Sequence, residues 1–371
     1  MKLRVLILLS LLVATVPATA DDAARVTVLG YHDFSETEDE TEMKIRSSKF
    51  RRQMEALKDL GLTVVSMAEF QAWKRGEKDL PDKSVVITID DGWLSVHEEA
   101  FPVLKELGYP FTIFLYKNYV DGGGKALTTP MIKEMMKHGA TIGSHSVSHP
   151  YPATVKKHRA EGPDAYDKFL RDEMGESKRF LEMKFGQAVE TYAYPGGFQT
   201  PEMFALGEEF GYRQMFTVQP GKVRRDTPDH SIPRYIILGT HDRIFDLATS
   251  FNDAPGGTSN AAPDVVQTTP YPVSPEPGAL ISERLPLISA DLSGVEDLDP
   301  ETLEMKVAGF GRVPARWDEE SRSFSWQVNR HLRSPGCQVR ISWKDGNGDP
   351  PEIPLRWNFR VDQEAAYVPR D

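Results

Sequence analysis

The sequence between residues 25 and 251 alternates short β-rich runs with amphipathic helical segments, and this alternation restricts the possible folds more than any other feature. Eight runs are predicted to be strands, at residues 25–31, 62–65, 84–89, 110–115, 140–143, 189–194, 212–217 and 232–238. Glycine, which ends helices in a left-handed conformation, stands between a helical segment and the next run at Gly61, Gly108, Gly139, Gly186 and Gly211. Repeated strand–helix–strand units favour a parallel sheet. We therefore predict an α/β domain at residues 21–251, folded as an irregular (β/α)7–8 barrel.

A different composition begins near residue 252. Residues 252–284 are rich in Pro, Gly, Ser and Thr, which is typical of an extended linker. From residue 285 to residue 371, short alternating runs are separated by turn residues, which predicts a small all-β, Ig-like sandwich. This second domain contains no residue pattern that indicates catalysis.

Residues 1–20 have the pattern of a cleavable signal peptide. Lys2 and Arg4 precede an apolar run at residues 5–16, and residues 18–20 (ATA) form a small-residue cleavage site. The run is shorter than the roughly 20 residues that a membrane span needs, so a membrane anchor is the less favoured alternative. No cysteine stands near the cleavage site, which disfavours a lipoprotein anchor. We expect a secreted or periplasmic protein without a membrane span.

Cysteine content and charge narrow the class of partner. Cys337 is the only cysteine, so no intramolecular disulfide can form, and stability must come from the hydrophobic cores. Cleavage after Ala20 leaves 42 basic and 55 acidic residues, a net charge of −13. Such a surface argues against nucleic acid and other polyanions, and it accommodates a neutral or positively charged substrate more easily.

Two adjacent carboxylates, Asp90 and Asp91, end the apolar run at residues 85–89. Active sites of parallel β/α folds lie at the carboxyl ends of the strands. Neighbouring carboxylates repel one another unless their roles differ, and a metal ion bound by one leaves the other free to accept a proton from water. The alternative is that both carboxylates only cap the helix that follows.

His145 and His149 follow the predicted strand at residues 140–143, at the same end of the sheet as the two aspartates. Imidazole nitrogens are good ligands for zinc and similar ions. Two surface histidines are the alternative. Carboxylates and histidines at the same end of the β/α units nevertheless favour a metal site.

Three motifs, in this order, resemble those of the polysaccharide deacetylases, carbohydrate esterase family 4, which share the NodB homology domain. They are residues 88–92 (TIDDG), 144–150 (SHSVSHP) and 194–197 (YPGG). The resemblance covers roughly residues 26–251 and implies a NodB-type irregular (β/α) barrel. It also implies a hydrolase of carbon–nitrogen bonds other than peptide bonds, with an acetylated polysaccharide or oligosaccharide as substrate.

The resemblance assigns roles residue by residue. Asp91, His145 and His149 match the metal ligands of the family, which implies one divalent ion, zinc above all, with cobalt or nickel as alternatives. Asp90 matches the general base that deprotonates the attacking water. The backbone N–H of Gly196 matches the donor that stabilises the oxyanion, at a position where the family usually has Tyr.

Two further positions depart from the family pattern. Ala193 stands where the third motif often has an Arg that orients the base, and Arg234 is the candidate to supply that charge from another strand. His241 is the candidate general acid, although its setting differs from the Leu-x-His of the family. Its alternative role is to cap the last helix of the barrel.

Three further residues are candidates for substrate binding. His32 belongs to a Tyr-His pair that recurs in extracellular members of the family, and a structural role is its alternative. Trp93 follows the Asp-Asp-Gly motif and could stack on a sugar ring, with core packing as the alternative. Tyr194, which begins the third motif, is the third candidate.

These features predict a secreted, metal-dependent deacetylase that removes N-acetyl groups from a glycan such as poly-N-acetylglucosamine, a chitin-like polymer or peptidoglycan. An O-acetyl esterase acting on a plant-type polysaccharide such as xylan would share the same machinery. A non-catalytic carbohydrate-binding protein is a further alternative, but it predicts a broken metal triad, and the triad is intact. A barrel hydrolase of cyclic amides is disfavoured by the signal peptide.

Overall fold

The computed structural model describes residues 25–251, 271–346, 348–351 and 355–367. The predicted signal peptide and residues 252–270 of the predicted linker lie outside these ranges. Within them, no helix is both long and apolar enough to cross a membrane.

The first domain is built on one large sheet. Its strands and a separate two-stranded pair are β1 (Arg25–Tyr31), β2 (Asp33–Phe34), β3 (Lys44–Ile45), β4 (Thr63–Val64), β5 (Lys83–Asp91), β6 (Phe111–Leu115), β7 (Ala140–Ser144), β8 (Thr191–Ala193), β9 (Gln214–Phe216), β10 (Lys222–Val223) and β11 (Tyr235–Ile236). The main order is β10-β1-β5-β6-β7-β8-β9, and only β10 is antiparallel to its neighbour. All eight predicted strands are present, most of them shorter than predicted.

The sheet curves towards closure. β11 pairs in parallel with β1, while Ile232, shortly before β11, forms a parallel bridge with Phe216 of β9. The segment at residues 232–236 therefore links β9 to β1. The resulting architecture is barrel-like, as predicted for this region.

Helices cover the outside of the sheet. They are α1 (Ser47–Asp59), α2 (Met67–Lys74), α3 (Phe101–Leu107), α4 (Thr129–Met136), α5 (Pro152–Ala160), α6 (Pro163–Leu170), α7 (Ser177–Phe185), α8 (Pro201–Phe210) and α9 (Arg243–Thr249). Two π-helical segments, Val96–Ala100 and Arg171–Glu176, lead into α3 and α7. Gly108 and Gly186 end α3 and α7 in the left-handed conformation that the sequence predicts.

The central strand β5 is buried on both faces. Val85, Ile87 and Ile89 belong to the large hydrophobic cluster shared with the helices, whereas Val86 belongs to a second cluster with Phe216. Burial on both faces explains the unbroken apolar run in the sequence. The two carboxylates, Asp90 and Asp91, stand at the carboxyl end of this buried strand.

The second domain consists of two sheets around one hydrophobic cluster. Its strands are β12 (Val273–Ser274), β13 (Leu280–Ile281), β14 (Leu287–Asp291), β15 (Leu298–Val307), β16 (Gly311–Val313), β17 (Arg316–Asp318), β18 (Ser323–Gln327), β19 (Gly336–Asp345) and β20 (Leu355–Val361). One sheet has the order β12-β14-β18-β17 and the other β13-β20-β19-β15-β16. An all-β second domain is present, and its likeness to an Ig fold stays a prediction.

The predicted limit between linker and second domain is wrong. Residues 252–284 were expected to form a linker, yet β12 pairs with β14 and β13 pairs with β20. Proline is tolerated in edge strands, because the N–H group that it lacks would point away from the sheet. A proline-rich composition therefore did not distinguish these edge strands from a linker.

Candidate metal centre

The register of three parallel strands brings the first two motifs together. Asp91 is level with Leu115 of β6, and Leu115 is level with Ser144 of β7. The N–H of His145 extends this pairing by donating to the carbonyl of Leu115 at 2.9 Å. Asp91 and His145 consequently flank the end of a single strand.

Asp91, His145 and His149 form a compact group of potential metal ligands. One donor atom from each residue lies within 4.8 Å of the other two. The Nε2 atoms of His145 and His149 are 3.6 Å and 3.5 Å from Oδ1 of Asp91. These are the three residues that the family resemblance assigns to the metal.

Asp91 and His145 each keep one potential metal-binding atom that makes no hydrogen bond. Oδ1 of Asp91 is buried and has no hydrogen-bond partner, while Oδ2 accepts from the indole Nε1 of Trp93 at 3.0 Å. Nδ1 of His145 lies 2.7 Å from the carbonyl of Ala193, which can only accept, so Nδ1 carries the proton and Nε2 has a free lone pair. A buried carboxylate oxygen without a partner beside two imidazole nitrogens fits a zinc-like ion.

Three residues of the centre have unusual backbone conformations. The φ angles of Asp91, Ser146 and His149 are 74°, 75° and 53°, in the left-handed region that non-glycine residues rarely adopt. Each such residue costs roughly 1–3 kcal/mol unless its surroundings hold it. The loop between the two histidines therefore depends on contacts outside itself.

Glu173 supplies most of those contacts. Its Oε2 accepts hydrogen bonds from the N–H groups of Val147 and Ser148, both at 2.9 Å, and its Oε1 accepts from the hydroxyl of Ser148 at 2.7 Å. Within the loop, Oγ of Ser146 accepts from the N–H of His149 at 2.9 Å. Glu173 lies in the π-helical segment Arg171–Glu176, and such segments occur frequently at functional sites.

Asp90 lies beside the ligand group but makes different contacts. Nη1 and Nη2 of Arg234 donate to its two carboxylate oxygens at 2.7 Å and 2.8 Å, and both residues are buried. Nε2 of His32 is 3.8 Å from Oδ2 of Asp90. Burial alone would raise the pKa of Asp90, but the charge and the hydrogen bonds of Arg234 outweigh this effect and hold the pKa well below its usual range.

Burial also determines the protonation of His145. Loss of solvent lowers the pKa of His145 to about 4, against the opposing attraction of Asp90. The ring is therefore neutral at neutral pH, which is the state that binds a metal ion.

The predicted oxyanion donor lies at an open turn. Gly196 is exposed and has a φ of 58°, and a Cβ atom at this position would meet no atom within 4 Å. The neighbouring amides are occupied, since Gly197 donates to Tyr194 and Phe198 donates to Pro195. Glycine suits the left-handed conformation where the family usually has Tyr.

Two sequence predictions do not match the geometry. Tyr194 was expected to bind substrate, but it is fully buried and its hydroxyl donates to the carbonyl of His230 at 2.9 Å, so it is a core residue. His241 was expected to be the general acid, but its Nδ1 pairs with the hydroxyl of Thr240 at 2.8 Å. Within the described residues, no contact joins His241 to the metal ligands or to Asp90; it lines a cavity of about 300 Å³ between the two domains.

Trp93 has a contact that was not predicted. It was a candidate for sugar stacking, yet its indole N–H is committed to Asp91 and its ring packs edge-on against Tyr119, with centroids 5.3 Å apart. A tryptophan that follows a metal-ligand motif is a weak signal for such a contact. The sequence gives no signal that Glu173 holds the histidine loop, because a glutamate in a helical segment is usually a surface residue.

Comparison with known proteins adds independent information. Residues 77–215, which contain Asp90, Asp91, His145 and His149, match the family model described as polysaccharide deacetylase. The chain carries a polysaccharide deacetylase domain. The resemblance noted from the three motifs is thereby confirmed, and the expected enzyme class, a carbohydrate deacetylase, is confirmed with it.

Three relatives illustrate the similarity of this polysaccharide deacetylase domain. The protein YxkH of Bacillus subtilis is 28% identical over 211 residues, 57% of this chain and 71% of YxkH. The poly-beta-1,6-N-acetyl-D-glucosamine N-deacetylase of Staphylococcus aureus is 24% identical over 209 residues, 55% of this chain and 71% of that protein. The structure of IcaB from Ammonifex degensii matches with a TM-score of 0.53 and 26% identity, over 61% of this chain and 98% of that one.

Proposed function

We propose that the protein is a secreted, zinc-dependent deacetylase that hydrolyses N-acetyl groups of a poly-N-acetylglucosamine-type glycan. One observation carries the proposal: an ionised carboxylate, that of Asp90, lies beside a group of three potential metal ligands, Asp91, His145 and His149. The similarity to the Staphylococcus aureus deacetylase supports this choice of glycan.

The metal ion, when bound, would polarise the acetyl carbonyl and make a water molecule more acidic. Asp90 takes a proton from that water while the oxygen of the water attacks the acetyl carbon. The N–H of Gly196 donates to the acetyl oxygen as negative charge develops there. The carbon–nitrogen bond then breaks, and its electron pair stays on the nitrogen, which takes a proton from a general acid and leaves as an amine. The acetic acid that forms loses its proton to solvent and is released as acetate.

Proton delivery to the leaving nitrogen requires a donor close to Asp90. We assign this role to His32, whose Nε2 is 3.8 Å from the carboxylate of Asp90, in preference to His241. Nδ1 of His32 is buried without a hydrogen-bond partner in the described part of the chain. His32→Gln should therefore slow acetate release more than His241→Gln does.

The substrate class is tested by measuring acetate release from three polymers: β-1,6-linked poly-N-acetylglucosamine, chitooligosaccharides and acetylxylan. We expect release from an N-acetylated glycan, loss of release after chelation and recovery with zinc. Asp90→Asn should reduce the rate by at least about 100-fold. Release from acetylxylan alone would replace the proposal with an O-acetyl esterase, and no release from any of the three would refute it.

Secretion rests on residues 1–20 alone, and we propose cleavage after Ala20. Amino-terminal sequencing of the protein exported by a bacterial host tests it. The expected first residue of the mature chain is Asp21. An exported protein that still begins at Met1 would contradict cleavage.

A further inference from the structure

An arc of aromatic rings borders the metal centre. Tyr151 packs against His149 at a centroid distance of 6.0 Å, and His149 in turn contacts Tyr116 at 5.5 Å. Tyr116 stacks on Tyr119 at 5.1 Å, and the edge of Trp93 closes the arc against Tyr119. The arc begins and ends at contacts with the metal ligands.

Tyr151 is the most accessible ring of this arc. It is 73% exposed, a large value for an aromatic side chain that touches a potential metal ligand. An aromatic residue that is exposed beside a catalytic centre is a frequent sign of ligand binding. Met183 on α7 is even more exposed, at 83%, but it is not part of the arc.

The backbone holds Tyr151 in a fixed position. Pro150 and Pro152 flank it, and a residue before proline is restricted to extended conformations, in agreement with its φ of −72° and ψ of 157°. Its carbonyl accepts hydrogen bonds from the N–H groups of Thr154 and Val155 at the start of α5. A ring on such a rigid backbone loses little entropy when a ligand covers it.

The polar atoms of the arc are also available. Within the described residues, the hydroxyl groups of Tyr116, Tyr119 and Tyr151 make no hydrogen bond to another side chain or to the backbone. An aromatic face with a hydroxyl at its end suits a pyranose ring, which has C–H groups on its faces and hydroxyl groups around its edge.

The charges nearby favour a neutral sugar. Three lysines stand on segments that flank the arc, and each is paired with a carboxylate. Lys117 lies 3.2 Å from Glu176 and Lys125 lies 3.3 Å from Glu38, while Lys44 lies 3.5 Å from Asp33 and also contacts Glu38. A glycan that carries uronate groups would need an unpaired cation here, and these three lysines are already neutralised.

We propose that Tyr151, Tyr116 and Tyr119 form a subsite for an uncharged pyranose ring, next to the sugar whose acetyl group reaches the metal centre. The subsite deepens the proposed deacetylase function and rests on it for the identity of the adjoining sugar. It makes the substrate a neutral chain of at least two sugars rather than an acidic glycan.

Binding to metal-free protein tests the subsite without turnover. The chelator-treated full chain is titrated calorimetrically with β-linked N-acetylglucosamine oligosaccharides, and with N-acetylated, uronate-containing oligosaccharides of equal length. We expect the neutral series to bind more tightly. Tyr151→Ala should weaken its binding by about tenfold, the value of one aromatic contact. Met183→Ala, the matched exposed control, should leave the affinity unchanged.

Any of three results would overturn the proposed subsite. The wild-type protein binds no oligosaccharide, the Tyr151→Ala variant binds as tightly as the wild type, or uronate-containing chains bind as tightly as neutral ones. Unchanged melting temperature and zinc affinity of Tyr151→Ala exclude misfolding as the cause of a loss. Acetate release by the zinc-loaded wild type is measured separately, so that failure of the subsite and failure of the deacetylase function give different results.

Discussion

Arg234 and Asp90 form a fully buried ion pair in which two guanidinium nitrogens lie 2.7 Å and 2.8 Å from the two carboxylate oxygens. The remaining contacts of the guanidinium are also satisfied, by the carbonyl of Thr217 at 2.9 Å and the hydroxyl of Thr88 at 3.2 Å. The pair joins the end of β5 to the residue just before β11, and its two hydrogen bonds set the orientation of the carboxylate.

Removal of the cation alone should be strongly destabilising. Arg234→Met leaves Asp90 buried without its partner, and breaking a buried pair in this way costs about 3–5 kcal/mol. We expect the free energy of unfolding, measured with urea, to fall by that amount, and acetate release to be lost. An Arg234→Met variant as stable as the wild type would show that the ion pair with Asp90 does not stabilise the fold.

The double variant Asp90→Asn/Arg234→Met separates stability from catalysis. It removes both charges, so it should regain most of the stability that Arg234→Met loses. It should still release no acetate, because the proton acceptor is absent. Recovery of activity in the double variant would show that Asp90 is not the base.

Glu173 should control metal affinity from outside the ligand group. Glu173→Gln keeps the size of the side chain but weakens the hydrogen bonds to Val147 and Ser148, so the strained loop relaxes and His149 moves relative to Asp91. We expect the affinity for Co²⁺ to fall by about tenfold or more. Glu176→Gln, on the same π-helical segment, is the control and should bind Co²⁺ like the wild type.

The indole N–H of Trp93 should have a similar effect. Trp93→Phe preserves an aromatic ring but removes the hydrogen bond to Oδ2 of Asp91. The affinity for zinc should fall by about 10-fold to 100-fold, the range found for partners of metal ligands. Trp317→Phe removes the bond from an indole N–H to Glu319 in the second domain, and it should not change zinc affinity. Equal affinities in the two variants would mean that the Trp93 contact is incidental.

The thiol of Cys337 should be unreactive in the folded protein. Burial raises its pKa to about 12, so at pH 8 only about one thiol in ten thousand is ionised. A disulfide reagent at pH 8 should therefore modify no thiol in the native chain and one thiol after unfolding. Modification should become faster as the pH rises towards 12. Rapid modification of native protein at pH 8 would show that this region of the second domain opens readily.

The candidate metal ligands could be predicted to lie together because their motifs are local. Asp91 ends one apolar run and His145 follows another, and parallel strands bring their carboxyl ends together whatever the details of the helices. The eight predicted strands and their parallel pairing follow from the same regular pattern. Periodicity and chain order therefore predict the position of the site.

Other features depend on contacts that sequence patterns do not encode. Arg234 is 144 residues from Asp90, and only the closing of the sheet makes them neighbours. Tyr194 is part of a family motif, but its hydroxyl finds a partner in the core. The position of His241 in the sequence is compatible with a general acid, but the loop after β11 places it at the cavity between the domains.

The most direct test of the metal centre is a calorimetric titration of chelator-treated protein with zinc. Wild-type protein should bind one ion per chain, and His145→Ala should bind none at the same concentrations. His158→Ala is the matched control, because His158 contacts Glu161 and Phe169 at the surface, and it should bind one ion. A His145→Ala variant that binds zinc as tightly as the wild type would contradict the assignment of Asp91, His145 and His149 as the metal centre.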